Sequence, residues 1–166
     1  MTIQLGNQER DFLIAYPSIY NMGKLVNCEI KEIIIHEGTK ADYIYYLIEG
    51  LAFAYKTSEN GQLRTMEIFK AGDFFGNITL FSEGVYTINV ETFKQCSYLQ
   101  ISKNDFEKLV IDDPNILRYL YADIANKLRR TSQIIIDHFL TAEERVVRSI
   151  LMITKKFGYE TSEGIE

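Results

Sequence analysis

The chain of 166 residues contains two cysteines, two histidines and no excess of basic residues. Two cysteines, Cys28 and Cys96, are too few for a disulfide scaffold or a thiolate metal cluster, and they indicate a reducing compartment. The net charge of −5 argues against a broad polyanion-binding surface. Nucleic acid would therefore need a local basic patch, and the mixed charges after Thr141 do not form one.

Long hydrophobic runs are also missing. No charged leader followed by an apolar stretch opens the chain, and no segment approaches the roughly 20 apolar residues that cross a bilayer. We therefore expect a cytoplasmic protein with no membrane partner. The hydrophobic content of 46% predicts a packed globule, and the length allows one ordinary domain with an appendage.

Evenly spaced glycines mark the first half of the chain. They stand at positions 38, 50, 61, 72 and 84, each in a turn-like context, and Asn60-Gly61 is a strong hairpin signal. Short runs of β-branched and aromatic residues lie between them, which is typical of a sandwich, barrel or jelly roll. Strands are predicted at 33–35, 43–48, 51–55, 63–69, 88–93 and 97–101, and a short helix at 8–15.

A long helix is predicted from Asp113, a good N-cap followed by Pro114, to His138. One set of its residues follows the alternating spacing of a two-helix coiled coil, and we expect this stripe to contact the same helix of a second subunit. A second stripe, Ile116, Leu120 and Ile134, would face the chain's own domain. The alternative is a single broad core-facing stripe in a monomer. The predicted dimer interface comprises Leu117, Tyr121, Ile124, Leu128, Thr131 and Ile135.

Two further helices are indicated by their N-terminal signals. Ser102 is a candidate N-cap for a helix over 104–110, and residues 141–144 form a capping box that opens a last helix through about Phe157. Gly158 ends that helix. Its apolar face has little in the chain to bury it, so we expect a further segment to follow.

The arrangement resembles the CRP/FNR family of bacterial transcription regulators. The resemblance is carried by EGTKADYIYYLIEGLAFAY, TSENGQLRTMEIFKAGDFFGNITLFSEG, LQISKNDFEKLV and TAEERVVRSILMI. It implies a mainly β fold with helices, a double-stranded β-helix or jelly roll of the cyclic-nucleotide-binding type followed by a long dimerisation helix. The implied divisions are an effector-binding β-roll at 1–112, the dimerisation helix at 113–139, and the first helix of a DNA-binding domain at 140–166.

The family also implies partners. A small effector would bind in the β-roll, and a homodimer would form through the long helix. Operator DNA and RNA polymerase would be partners only if a C-terminal winged helix-turn-helix follows, because the sequence contains no recognition helix. The resemblance implies no enzymatic activity.

In members that bind cyclic nucleotides, a phosphate cassette follows the Gly-Asp-Phe-Phe-Gly turn. Here Gly76 is in place, but Asn77 occupies the carboxylate position and Tyr86 stands where an arginine would neutralise the phosphate. We therefore expect an effector other than cyclic AMP, an aromatic or carboxylate-bearing metabolite, or a collapsed pocket without ligand; a cyclic nucleotide is the alternative. The predicted effector residues are Gly76, Asn77, Ile78, Thr79, Tyr86 and Thr87, with Lys127, Thr131 and Ser132 from the helix.

Other chemistries find little support in the sequence. An iron–sulfur cluster needs four thiolates, and His36 and His138 are more plausible as structural residues than as haem ligands. A redox switch between the two cysteines stays open, although an inert buried cysteine is the default. A metal-dependent cupin enzyme would need more ligands than the pair His36-Glu37 supplies. No metal or cofactor is therefore expected.

Overall fold

A computed structural model describes residues 17–81, 84–137, 139–158, 160–161 and 164–165. The chain divides into two compact units, Met1–Leu120 and Tyr121–Glu166. The helix predicted over 8–15 lies outside the described residues. Among the residues described, no helix has the length and apolar character needed to span a membrane.

The first unit is built on two antiparallel four-stranded sheets, which confirms the predicted jelly-roll architecture. One sheet has the strand order β1-β8-β3-β6 and the other β2-β7-β4-β5. Their strands are β1 Lys24–Cys28, β2 Ile33–Ile35, β3 Tyr43–Glu49, β4 Leu51–Thr57, β5 Leu63–Lys70, β6 Phe74–Phe75, β7 Asn89–Thr92 and β8 Cys96–Ser102.

The helices follow the predicted signals closely. Helix α1 spans Pro17–Met22, α2 Lys103–Asp112, α3 Pro114–Asp137 and α4 Ala142–Phe157, and a short 3-10 helix covers Asn77–Phe81. The side chain of Ser102 caps α2, and the predicted capping box at Thr141 and Glu144 is present. Two short strands, β9 Glu160–Thr161 and β10 Gly164–Ile165, pair after α4.

Six short elements were not predicted from sequence: helix α1, the 3-10 helix and strands β1, β6, β9 and β10. Helix α1 begins at Pro17, and proline is well suited to the first helical position. Strand β1 lies at the edge of its sheet and is largely exposed, so its apolar pattern is weak. Strand β6 has two residues, too few for a periodic signal.

The five evenly spaced glycines lie in turns, as predicted. All of them have φ values between 75° and 96°, a region that other residues rarely adopt. Gly50 has a second constraint, because a Cβ at this position would lie 2.2 Å from the carbonyl oxygen of Gln95. The hairpin predicted at Asn60-Gly61 connects β4 to β5, and Ser58 and Gln62 close it through a 2.9 Å backbone hydrogen bond.

Strand β3 separates two hydrophobic clusters. Successive side chains of a strand point to opposite faces, and five consecutive residues of β3 are buried. Ile44, Tyr46 and Ile48 contribute to a cluster shared with the helices, whereas Tyr45 and Leu47 contribute to the cluster between the two sheets. The strand is therefore buried on both faces, and it places Tyr43 and Tyr45 beside the predicted cassette.

A substitution at Phe106 can test whether the cluster under the helices is part of the core. Its side chain is fully buried in α2 and its ring contacts that of Phe74 at a centroid distance of 5.7 Å. We expect Phe106→Ala to lower the free energy of unfolding by about 3–5 kcal/mol, because it leaves a cavity in a packed core. The measurement is urea denaturation followed by circular dichroism.

Ile111→Ala on the same helix is the matched control, because Ile111 is 77% exposed. It should change the free energy of unfolding by less than about 0.5 kcal/mol. Equal losses for the two variants would contradict the assignment of this cluster as the core.

Candidate functional site

The predicted cassette lies at a sharp turn after β6. Gly76 has a φ of +75°, and a Cβ there would approach the carbonyl oxygen of Tyr43 to 3.3 Å and the ring of Tyr86 to 3.4 Å. Glycine therefore allows the turn to lie against both residues. The hydroxyl of Thr79 donates to the Gly76 carbonyl at 2.6 Å and ties the 3-10 helix to the turn.

Tyr86 lies directly over this turn and is buried. Its hydroxyl donates to the carbonyl oxygen of Tyr43 at 2.7 Å and accepts from the Tyr43 amide at 3.2 Å. The rings of Tyr45 and Tyr86 lie side by side, with centroids 6.4 Å apart. Burial raises the pKa of Tyr86, so the phenol stays neutral at physiological pH. The residue that replaces the expected arginine is thus held by the backbone of β3 and carries no charge.

The remaining predicted cassette residues divide into buried and exposed ones. Asn77 and Thr79 are 2% and 5% exposed, whereas Ile78 and Thr87 are exposed. The structure therefore brings Gly76, Thr79 and Tyr86 into contact and directs Ile78 and Thr87 to solvent. Asn77, Thr79 and Thr92 are buried polar residues in the described part of the chain, and their side chains cannot carry a charge.

An aromatic cluster continues from Tyr86 into the interior of the β-roll. Tyr45 stacks on Phe75 at a centroid distance of 5.0 Å, Phe69 stacks on Phe75 at 5.1 Å, and Tyr98 meets the edge of Tyr45 at 5.5 Å. Burial raises the pKa of Tyr45 and of Tyr98 far above physiological pH. The interior beside Tyr86 is therefore filled by aromatic rings that pack on one another, and the hydroxyl groups of Tyr45 and Tyr98 are neutral.

The predicted effector residues of α3 belong to the second unit. Lys127 forms an ion pair with Asp123 at 2.6 Å, and its side chain is only 12% exposed. Thr131 and Ser132 are exposed. The pairing of Lys127 with a carboxylate in its own helix was missed from sequence, although the spacing of four residues between Asp123 and Lys127 is the usual signal for such a pair.

The two predicted stripes of α3 differ in burial. Ile116 and Leu120 belong to the cluster under the helices, whereas the side chain of Ile134 and all of His138 lie outside the described residues. In the other stripe Ile124 is partly buried and the remaining residues are exposed, Tyr121 most of all at 76%. The exposed members are Leu117, Tyr121, Leu128, Thr131 and Ile135.

Helix α4 also exposes apolar residues. Its five predicted apolar positions, Val146, Val147, Ile150, Leu151 and Ile153, are all exposed. Within the described part of the chain, no group of three or more His, Cys, Asp or Glu side chains is arranged to hold a metal ion.

Residues 25–113 match the family model of the cyclic nucleotide-binding domain. The cAMP-activated global transcriptional regulator CRP of Pasteurella multocida is 32% identical over 127 residues, which are 75% of this chain and 61% of the relative. The chain thus spans about three fifths of the length of this curated relative.

Solved structures share the fold. The c-di-GMP-responsive global regulator CLP of Xanthomonas campestris superimposes with a TM-score of 0.78 at 20% identity, covering 86% of this chain and 72% of that protein. The catabolite activator protein of Thermus thermophilus gives a TM-score of 0.65 at 21% identity, covering 92% and 70%. With the family model and the CRP relatives, these findings show that the chain belongs to the CRP/FNR family of transcription regulators, through a domain of the cyclic nucleotide-binding type.

Proposed function

We propose that the chain is the effector-sensing and dimerising part of a CRP/FNR-type regulator, and that its effector is a small molecule other than cyclic AMP. The proposal of an effector other than cyclic AMP rests on the hydrogen bonds between the Tyr86 hydroxyl and the backbone of Tyr43. This neutral group stands where the resemblance predicts an arginine.

The energetic argument concerns the phosphate. Removing one partner of a buried, charge-assisted contact costs about 2–5 kcal/mol, which lowers affinity by more than an order of magnitude. Asn77 weakens the expected contact with the ribose as well, because a neutral amide accepts a hydrogen bond from a ribose hydroxyl less strongly than the carboxylate that the resemblance implies. The relative from Pasteurella multocida is named as cAMP-activated and the regulator CLP as c-di-GMP-responsive, so the fold by itself does not specify the effector.

The proposed effector is an aromatic or carboxylate-bearing metabolite of low charge. The turn at Gly76 and the phenols of Tyr45 and Tyr86 support this choice, since they combine a backbone close to the ligand with neutral hydrogen-bonding groups. Lys127, Thr131 and Ser132 remain predicted contributors from α3. For the site to regulate, the effector must bind two arrangements of the protein with different affinity.

A cyclic nucleotide is the second candidate. It is favoured by the 32% identity to a cAMP-activated regulator and by the retention of Gly76 with its positive φ. Its affinity would have to come from the backbone and hydroxyl groups of the cassette alone. Because this affinity is expected to be low, titration with a cyclic nucleotide can distinguish the two candidate effectors.

Dimerisation through α3 is the third part of the proposal. The exposure of Tyr121, Leu128 and Ile135 supports it, because apolar side chains that repeat along one face of a helix are stabilised by burial against a partner. Operator DNA and RNA polymerase would be partners of a longer protein that carries a winged helix-turn-helix after α4. We place the protein in the cytoplasm and assign it no enzymatic activity.

Cyclic AMP provides the test of the effector. We expect no rise in melting temperature of the wild-type chain on adding cyclic AMP, because the cassette lacks the arginine expected to bind the phosphate and the carboxylate expected to bind a ribose hydroxyl. The double variant Asn77→Glu, Tyr86→Arg should gain a stabilising response, measured by thermal shift and confirmed by calorimetric titration.

Tyr86→Phe is the control for that experiment, since it keeps the ring and supplies no cation. It should not respond to cyclic AMP, and loss of the hydroxyl contacts with Tyr43 should cost about 1–3 kcal/mol of stability. Stabilisation of the wild-type chain by cyclic AMP, abolished by changing Thr131 and Ser132 together, would overturn the preference for another effector. A parallel screen of aromatic acids seeks the effector itself.

Leu128→Glu tests the dimer. Leu128 lies in the middle of the exposed stripe, so a charge there would be buried against the second helix at a cost that separates the subunits. We expect the dimer to become a monomer in sedimentation or size-exclusion experiments at micromolar concentration. Asn126→Glu, an exposed position on the opposite side of α3, should remain dimeric. A dimer that survives Leu128→Glu would contradict the proposed interface.

A further inference from the structure

Cys28 and Cys96 are direct partners in the antiparallel pairing of β1 with β8. Directly opposed residues in such a pair point to the same face of the sheet, with Cβ atoms about 4.5–5.5 Å apart. A disulfide requires a Cβ separation of about 3.5–4.5 Å. A segment of 67 residues, 29–95, connects the two cysteines. The register of the two strands thus brings their thiols within a small adjustment of bonding distance.

The surroundings of the two thiols are different. Cys28 is partly exposed at the edge strand, and its Sγ donates to the hydroxyl of Tyr98 at 3.7 Å. Cys96 is buried, and its Sγ donates to the carbonyl oxygens of Leu51 and Lys94 at 3.2 and 3.1 Å. An oxidant therefore reaches Cys28 first. Bond formation then requires the Cys96 thiol to rotate about χ1, away from the two carbonyl groups.

Both thiols are weakly acidic. Burial raises the pKa of Cys96 to about 11, with the neighbouring Cys28 adding to the effect. Burial also raises the pKa of Cys28, and the carboxylates of Glu29 and Glu32 that face it act in the same direction against the opposing hydrogen bond of Tyr98. Since the thiolate is the reactive form, reaction at neutral pH is slow and accelerates as the pH rises.

We propose that Cys28 and Cys96 form a dithiol–disulfide couple that fastens the edge strand β1 to β8 under sustained oxidising conditions. The oxidant is a low-molecular-weight disulfide. The Cys28 thiolate attacks one of its sulfur atoms, forms a mixed disulfide and releases one small thiol. Cys96 then attacks the Cys28 sulfur, which forms the intrachain bond and releases the second small thiol. Two electrons and two protons pass from the protein to the small disulfide.

Closing this bond would constrain most of the β-roll. The segment between the two cysteines contains strands β2 to β7 and the cassette at Gly76. A cross-link around a loop of this length stabilises mainly by restricting the unfolded chain. The proposed disulfide is inferred from the register of β1 and β8, so its test does not depend on the proposed effector or on the proposed dimer.

The test uses the purified chain and oxidised glutathione. After incubation and acid quenching, free thiols are alkylated under denaturing conditions and the intact mass is measured. We expect a product lighter by two hydrogen atoms with no alkylated cysteine, peptides containing Cys28 and Cys96 linked to each other, and a melting temperature higher by about 10 °C. The rate should rise about tenfold per pH unit between roughly pH 7 and 9, because the thiolate fraction does.

Single-cysteine variants are the controls. Cys96→Ala should stop at the glutathione adduct of Cys28, with no rise in melting temperature; circular dichroism checks its folding. If it fails to fold, Cys28→Ala serves instead, and its buried Cys96 should react far more slowly than Cys28 does in the wild-type chain. Three results with the wild-type protein would overturn the proposal. The reaction could stop at the glutathione adduct of Cys28, the disulfide could form between two chains, or no reaction could occur even at about pH 9.

Discussion

The burial of strand β3 on both faces is the constraint on which the described parts of the first unit depend. One face packs under the helices through Ile44, Tyr46 and Ile48, and the other packs between the sheets through Tyr45 and Leu47. The strand therefore contributes side chains to both hydrophobic clusters. The strand also supplies the backbone of Tyr43, which binds the Tyr86 hydroxyl. Packing and the candidate site thus share one element, and a change in its register would alter both.

The predicted cassette combines the turn of the family with side chains that differ from those the resemblance implies. The glycine that permits close approach of the backbone is retained at position 76, together with the following short helix. The side chains that would carry charge are replaced by an amide and a phenol. The phenol of Tyr86 is hydrogen-bonded to the protein's own backbone, so this position contributes a neutral group that is already held in place.

Apolar surface is distributed unevenly between the described helices. Helix α2 buries Phe106 and Leu109, while the apolar positions of α4 and several of those in α3 are exposed. Burial of such surface is the main favourable term in protein association, and it is the basis on which dimerisation through α3 is proposed. The chain spans about three fifths of the length of a curated relative, and the functions of a longer regulator are proposals for this chain.

Local signals in the sequence determined the longer helices and most of the strands of the β-roll to within a few residues. Turn glycines, the Asn60-Gly61 pair and the caps at Ser102 and Thr141 act over a few residues, so they can be recognised without knowledge of distant contacts. The family could also be identified, because its turn and helix motifs are contiguous. Strand β1 could not be predicted, since it is an exposed edge whose pattern depends on pairing with β8.

Only the tertiary structure decided which side chains meet. Tyr86 and Tyr43 are 43 residues apart in sequence, and nothing local indicates that the hydroxyl of one binds the backbone of the other. Cys28 and Cys96 likewise lie opposite each other because of the register of β1 and β8, which are the first and last strands of the β-roll in sequence. Register is set by the burial of whole strands, so contacts of this kind depend on the packing of the complete sheet.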